Sequence, residues 1–242
     1  MAIEAVYLTL LTKAVQLLRQ RTGDNRRLTA LALGYPDLLV PEANLMQILG
    51  PQIMQNLPQR ADAAQIWRWH GLQGATDPLY DSLAVLDRLG LDVTVIDIVA
   101  ARGNERIVDL NEPLPDDLRN RFDIVIDTGT CEHCFNVGVA FRNACEAVGQ
   151  NGFLIHAAPL NRYNHGFWSF NPTIYPDYFG DNGFRLHYIS GIECNLAEGF
   201  SAFPVEMTRR FGKAQDNAAL YVLAERLEIR PQVWPVQHKY RT

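Results

Sequence analysis

Apolar residues follow two kinds of spacing along the chain. Between residues 5 and 21, Val6, Leu10, Ala14 and Leu17 recur at intervals of three or four, which predicts an amphipathic N-terminal helix. Further along, short continuous apolar runs have the length of buried strands. Seven strands are predicted in this way, over residues 28–33, 93–98, 106–108, 124–126, 153–157, 185–189 and 218–227.

Helical segments lie between most of these strands. The predicted helices cover residues 41–57, 77–89, 137–148 and 173–181. Asp77 followed by Pro78 suits an N-cap and a first helical position, and Asn136 suits the N-cap of the helix after it. Residues 59–76 show a less regular pattern, so no element is predicted there.

This alternation predicts an α/β fold with a doubly wound, mostly parallel seven-stranded sheet and helices on both faces. No helix separates the sixth and seventh strands, so the last strand is expected to be antiparallel. The predicted organisation is an N-terminal helix in residues 1–27 and one α/β domain in 28–228, with an insertion around 57–76. Residues 229–242, with Pro231 and Pro235, form an extended tail.

The composition is typical of a globular protein and argues against a nucleic-acid-binding or membrane protein. The 242 residues are 48% hydrophobic and 20% charged, which is ordinary for a globular protein. The net charge of −5 and the lack of a Lys/Arg run argue against a nucleic-acid partner. No apolar run approaches the roughly 20 residues of a membrane span, so no membrane contact is expected. The N-terminus lacks a signal-peptide pattern, which leaves a cytoplasmic location as the expectation.

The cysteines indicate reduced thiols rather than a disulfide framework. Cys131 and Cys134 have the CxxC spacing of zinc and redox sites, and both alternatives remain open at this stage. A structural zinc site usually needs a second pair at similar spacing, and the chain has none. Cys145 and Cys194 stand apart, so no metal is expected.

Polar residues gather where the apolar strands end. The strand 124–126 runs into the turn Asp127-Thr-Gly-Thr130, and the turn leads to Glu132 and His133. Asp97 ends an earlier strand in the same way. Because ligands of open α/β sheets bind at the carboxyl ends of the strands, this edge is the expected site for a small molecule.

Five segments occur in an order that resembles a bacterial group of class I S-adenosylmethionine-dependent methyltransferases. They are Asp97, Asp109-Leu-Asn-Glu-Pro113, Gly129-Thr-Cys-Glu-His-Cys-Phe-Asn136, Pro159-Leu-Asn161 and His165-Gly-Phe167. The resemblance covers roughly residues 28–228, and the joint occurrence of the segments is more specific than any one alone. It implies a Rossmann-like methyltransferase fold and S-adenosylmethionine as cofactor.

The resemblance also implies which residues hold the cofactor. They are Gly34, Asp37, Asp97, Asp109, Leu110, Thr128 and Gly129. Asp97 would accept hydrogen bonds from the ribose hydroxyls, and Asp109 with Leu110 would meet the adenine. The chain departs from the family in its first loop, Ala32-Leu-Gly34-Tyr-Pro36-Asp-Leu38, where only Gly34 remains of the glycine-rich turn. Asp37 is the acid that a re-routed loop would offer.

The residues expected to act on the acceptor follow the fourth and fifth strands. His133 and His165, with Glu132, are the candidates to orient or deprotonate it, because histidine titrates near neutral pH. Asn161, Phe167, Trp168 and Tyr175 are the candidates to bind it, since aromatic rings suit a small organic substrate. His156 lies within an apolar run and is expected to be a hydrogen-bonded core residue.

The predicted function is therefore methyl transfer to a small-molecule acceptor. Two alternatives stay open. One is a catalytically inactive methyltransferase-like fold that binds a second copy or another protein, with the tail and its Trp234 and Tyr240 as the contact segment. The other is a pocket for a different nucleotide.

Overall fold

The computed structural model describes residues 2–23, 25–72, 74–195, 199–210 and 216–241. Its helices are α1 (Ala5–Thr22), α2 (Glu42–Leu49), α3 (Ala63–Trp69), α4 (Ser82–Arg88), α5 (Val137–Ala147) and α6 (Ile174–Asp181). Its strands are β1 (Ala2–Ile3), β2 (Leu28–Leu33), β3 (Asp37–Leu38), β4 (Leu91–Asp97), β5 (Glu105–Ile107), β6 (Phe122–Asp127), β7 (Val148–Pro159), β8 (Phe184–Asn195), β9 (Gly199–Phe203) and β10 (Ala218–Arg226).

The main sheet has the order β5-β4-β2-β6-β7-β10-β8-β9 in the described part of the chain. Neighbours from β5 to β7 are parallel, and β10 is antiparallel to both β7 and β8. The predicted fold class is confirmed: the sheet is doubly wound, Rossmann-like and mostly parallel, and its last strand, β10, is antiparallel to its neighbours. An eighth strand, β9, was not predicted, because it forms only as the second arm of a hairpin with β8.

Apolar side chains cover both faces of the sheet, which explains the continuous apolar runs. All nine residues of β10 are buried. On one face, α1 packs against the sheet through Tyr7, Leu11 and Ala14, and α4 lies in the same cluster. On the other face, α5 and α6 meet around Phe141 and Phe179. The regularly spaced apolar residues that predicted the N-terminal helix therefore form the face that packs against the sheet.

The region before β4 differs from the sequence expectation. The helix expected from Asp77 begins at Ser82, and the Asp81 carboxylate caps it by accepting from the Ala84 N–H at 2.8 Å. The preceding residues stay extended because Tyr80 forms a β-bridge with Gln59. Residues 59–76, for which no element was predicted, contain helix α3.

The C-terminal tail lies along α5 and α6. Asn182 donates to the Val233 carbonyl at 3.0 Å and accepts from the Val233 N–H at 2.6 Å, as a strand partner would. The Trp234 ring lies over Gly138 of α5, where a Cβ would be in ordinary van der Waals contact with it at 3.6 Å. Among the described residues, no helix is long and apolar enough to cross a membrane.

One buried cation joins β10 to the turn before β6 and to the end of α5. Arg226 is 1% exposed, and its Nη1 donates to Asn120 Oδ1 at 2.7 Å and to the Val148 carbonyl at 2.7 Å. It also lies within hydrogen-bond distance of the carbonyls of Cys145 and Glu146. Burial lowers the pKa of the Arg226 guanidinium, although it stays charged at neutral pH.

Replacement of Arg226 with alanine should destabilise the fold. The change leaves several buried carbonyl groups without a donor, and we expect a loss of about 2–4 kcal/mol in the free energy of unfolding. Urea denaturation followed by circular dichroism measures it. Arg185→Ala, an exposed arginine of the neighbouring strand, is the control and should change stability by less than about 0.5 kcal/mol. Equal effects of the two substitutions would show that the buried guanidinium is unimportant.

Candidate functional site

The loops after β2, β4 and β6 meet at one edge of the sheet, where the strand order reverses. The loop after β6 is held by Asp127, whose Oδ1 accepts from the N–H groups of Gly129 at 3.2 Å and Thr130 at 2.8 Å. The Thr130 hydroxyl donates to the Leu33 carbonyl, the last residue of β2. The loops of these two adjacent strands are thus joined directly, and the crevice between them is where open α/β sheets bind ligands.

A second contact of Asp127 connects the end of β6 to β7. Its Oδ2 lies 2.7 Å from Nδ1 of His156 on β7, and both side chains are fully buried. Burial raises the pKa of Asp127, but the His156 charge and hydrogen bond, with those of Cys131 and Thr130, outweigh it, and the pKa is below its usual value. His156 is a hydrogen-bonded core residue, as predicted, and Asp127 was not singled out from the sequence.

The first loop turns at Gly34, whose φ of +77° is a conformation that favours glycine. The Gly34 N–H donates to the Ile96 carbonyl at 2.6 Å, which places this loop beside the end of β4. There, Asp97 Oδ2 is 3.4 Å from the Tyr35 N–H, and Oδ1 accepts from the N–H of Ile98 at 2.7 Å. The structure therefore brings Gly34 and Asp97 together.

Asp37 is engaged by other side chains. Arg102 Nη2 lies 2.9 Å from each of its carboxylate oxygens, and His70 Nε2 lies 3.1 Å from Oδ2. Burial raises the pKa of Asp37, but the hydrogen bonds from His70 and Arg102 outweigh this and hold it below the usual range. The Arg102 guanidinium also stacks 4.2 Å from the ring of Trp69. Nothing in the local sequence marks Arg102, since its partners come from distant segments.

The segment after β5 forms a tight turn. Asp109 is exposed, and its Oδ1 accepts from the backbone and side-chain N–H groups of Asn111 at 2.9 and 2.8 Å. Leu110 is buried beneath it. Asn136 stands at the N-cap position of α5, but its side chain donates to the Asn111 carbonyl at 3.3 Å instead of capping the helix. The expected capping role is therefore wrong, because a nearby turn offers that amide an acceptor.

Two features of the loop after β6 face the crevice region. The Thr128 hydroxyl is buried and has no hydrogen-bond partner in the part of the chain that the structure describes. Gly129 has a φ of +97°, and a Cβ there would lie 2.8 Å from Glu132 Oε1. The glycine therefore serves both the turn and the placement of Glu132.

Glu132, His133 and His165 form a cluster beside Gly129. Glu132 is 1% exposed, and its Oε1 lies 3.4 Å from Nε2 of His165. The rings of His133 and His165 are 5.2 Å apart between centroids. Desolvation lowers the pKa of His133, while the Glu132 carboxylate raises it and the neighbouring His165 imidazole lowers it further. His133 is therefore mainly neutral at pH 7 and able to accept a proton or bind a metal.

Exposed aromatic rings border this cluster. Phe167 and Trp168 each present a backbone N–H to the Glu132 carbonyl, at 2.9 and 3.3 Å. Their side chains are 66% and 42% exposed and pack against Phe135, with ring centroids 5.7 and 6.3 Å away. An exposed aromatic surface next to titratable groups suits an organic ligand. Phe135 was not predicted from the sequence, although it lies within the quoted segment 129–136.

The other two residues predicted to bind the acceptor molecule, Asn161 and Tyr175, have contacts that stabilise the fold. Asn161 Oδ1 accepts from the Ala218 N–H at 2.7 Å, at the beginning of β10. Tyr175 is fully buried among Phe141, Phe170 and Phe179, and its hydroxyl has no partner within the described ranges. Burial raises the pKa of Tyr175 well above its usual value, and the nearby charges of Asp127 and Glu132 add to this.

The cysteine pair of the CxxC segment is reduced. Cys131 and Cys134 are both free thiols. Burial raises the pKa of Cys131 well above its usual value, and burial raises the pKa of Cys134 to about 12. Both thiols are therefore protonated at neutral pH, a state unsuited to redox exchange.

No family model matches this chain, and no curated protein matches it. Among solved structures it is similar to the CMeT domain of the citrinin polyketide synthase, at 14% identity and TM-score 0.45, over 89% of this chain and 51% of that one. It is also similar to Burkholderia thailandensis 1,6-didemethyltoxoflavin-N1-methyltransferase, at 15% identity and TM-score 0.33, over 90% and 79%. The Haemophilus influenzae protein TehB is another, at 15% identity and TM-score 0.39, over 60% and 53%. The chain spans about half the length of the first of these, so what its site does is inferred from its own residues.

Removal of the Glu132 charge should lower the pKa of His133 further. The carboxylate favours the protonated imidazole, and Glu132→Gln keeps the shape of the side chain while removing that effect. Titration of the imidazole by nuclear magnetic resonance measures the shift. Glu228→Gln, an exposed acid on the tail, is the control and should leave the titration unchanged. A His133 pKa that stays the same or rises in Glu132→Gln would contradict the arrangement.

Proposed function

We propose that the protein transfers a methyl group from S-adenosylmethionine to a small-molecule acceptor. The observation that carries the proposal is the position of Asp97. Its carboxylate ends β4 and stands beside the Gly34 turn of β2, at the point where the strand order reverses. An acid at this place in a Rossmann-like sheet is suited to accept hydrogen bonds from the two hydroxyls of a ribose.

The residues at this edge fit the cofactor in four respects. Asp97 accepts three backbone N–H contacts and keeps lone-pair capacity for hydroxyl donors. The Thr128 hydroxyl is buried and has no hydrogen-bond partner among the described residues, so a ligand could supply one. Asp109 uses one carboxylate oxygen in its turn and is exposed, so the other is available to an amine. Gly34 supports the close approach of a ligand to the backbone.

The first loop would contribute mainly its backbone. Pro36 and Leu38 stand at the later positions of the glycine-rich turn, and the Asp37 carboxylate already has an ion pair with Arg102 and a hydrogen bond with His70. We therefore assign Asp37 to holding the shape of the loop against α3 and the loop after β4. In this loop and at the end of β4, Gly34 and Asp97 would contact the cofactor.

The acceptor would bind on the other side of Gly129. S-adenosylmethionine supplies an electrophilic methyl on a sulfonium, so the acceptor atom needs positioning and the loss of a proton. His133 is mainly neutral and accessible, which suits it to take a proton from a hydroxyl or amine. His165 is held by Glu132 and orients the acceptor, while Phe167 and Trp168 offer their rings to an organic group.

Replacement of Asp97 with alanine tests the cofactor assignment. Loss of the hydrogen bonds from the ribose to a charged acceptor should weaken S-adenosylmethionine binding by about 1.5–3 kcal/mol, roughly 10- to 150-fold in Kd. Calorimetric titration with S-adenosylmethionine and with S-adenosylhomocysteine measures the change.

Asp92→Ala is the matched control. Asp92 lies exposed at the opposite end of β4, so its loss should leave the affinity unchanged. Equal affinity of Asp97→Ala and the unaltered protein would overturn the ribose assignment. Absence of binding to the unaltered protein at millimolar ligand would overturn the proposed function itself.

A further inference from the structure

Within the described residues, two groups of potential metal ligands lie near the end of β6. They differ in how many of their polar atoms have hydrogen-bond partners. One consists of Asp127, Cys131 and His156, and the other of Glu132, His133 and His165. In the first, both Asp127 oxygens have donors, and the Cys131 thiol is protonated and adds its own hydrogen bond. The carboxylate of that group is therefore satisfied without an ion, and the atom left without a partner among the described residues is Nε2 of His156, which can be neutral.

In the second group, one carboxylate oxygen has no hydrogen-bond partner among the described residues. Glu132 is almost fully buried, and Oε2 has no hydrogen-bond partner in the described segments of the chain. Its other oxygen has only the 3.4 Å contact with His165 Nε2. A buried carboxylate with an unpaired oxygen is costly, and a cation bound to it removes that cost.

Two glycines leave room for Glu132 in the position that it occupies. A Cβ at Gly129 would come within 2.8 Å of Glu132 Oε1. A Cβ at Gly166, next to His165, would come within 2.9 Å of the Glu132 carbonyl and 3.0 Å of its Cγ. The chain is thus built to pack closely around Glu132 and to place His165 against it.

The spacing of the donor atoms suits a metal ion. The ligand atoms of Glu132, His133 and His165 all lie within 4.8 Å of one another. For bonds of about 2.0–2.1 Å in a tetrahedral site, adjacent ligand atoms are roughly 3.4 Å apart, the distance between Glu132 and His165. His133 is exposed and His165 is partly so, which allows a small rotation of each ring to close the remaining gap.

We propose that Glu132, His133 and His165 bind a divalent transition-metal ion such as Zn²⁺. Two imidazoles and one carboxylate form a ligand set that leaves coordination positions open. The open side lies next to Phe167 and Trp168, where an oxygen or nitrogen atom of a small ligand would complete the coordination. This departs from the sequence-based expectation of no metal. The binding of the ion does not depend on methyl transfer. With the ion bound, His133 and His165 are ligands and no longer free bases, so the ion would take over the activation of the acceptor, and only that step rests on the proposed function.

The test is a metal titration of the full-length protein after EDTA treatment and desalting. Calorimetry with ZnCl₂ and visible absorption with CoCl₂ should show one ion per chain, bound at micromolar concentration. His165→Asn, His133→Asn and Glu132→Gln should each weaken binding at least about tenfold, because loss of a direct ligand costs no less than loss of its supporting contacts. No S-adenosylmethionine is present, so failure of the methyltransferase proposal leaves this result unaffected.

His187→Asn is the matched control. His187 forms a similar pair elsewhere, with Nε2 2.7 Å from Glu225 Oε2, and its loss should leave the affinity unchanged. If Glu132→Gln does not fold, as judged by circular dichroism, the two histidine variants at more exposed positions decide. Absence of binding at millimolar metal, equal affinity of all variants, or loss of binding in His187→Asn would each overturn the proposal.

Discussion

The Asp127 carboxylate is the constraint on which the functional edge of the sheet depends. One oxygen shapes the loop after β6 through the N–H groups of Gly129 and Thr130, and the other lies against His156 on β7. The Thr130 hydroxyl then connects this loop to the end of β2. A charge buried in this way is stable only because all its contacts are present together. Loss of any one would loosen the loops of two adjacent strands and the Glu132 cluster beyond them.

The site consists of two parts that meet at Gly129. On one side, Asp97 lies beside the Gly34 turn, where we propose that the cofactor binds. On the other, Glu132 stands between two histidines and close to exposed aromatic rings. A glycine at the junction lets the Glu132 carboxylate approach the turn to a distance that a side chain would prevent. The two parts are therefore adjacent along the loop after β6.

Much of the fold could be predicted from the sequence because it depends on local patterns. Apolar runs located the seven main strands, and the lack of a helix before β10 indicated its reversed direction. The site residues were found where strands end, but their partners were not. Arg102 meets Asp37 only after the insertion and two loops have packed together, and Glu132 is buried by residues that follow β7. Non-local packing also explains why Asp81, rather than Asp77, caps α4.

The first loop has a thermodynamic consequence for whatever binds against it. Pro36 has a fixed φ, Asp37 and Leu38 pair with β1, and Arg102 stacks on Tyr35 at 5.4 Å. A glycine-rich loop in this place would lose much of its conformational entropy when a ligand ordered it. Here that entropy has already been lost during folding. Association with this edge should therefore carry a small entropic penalty, and the heat of binding should report mainly on the contacts themselves.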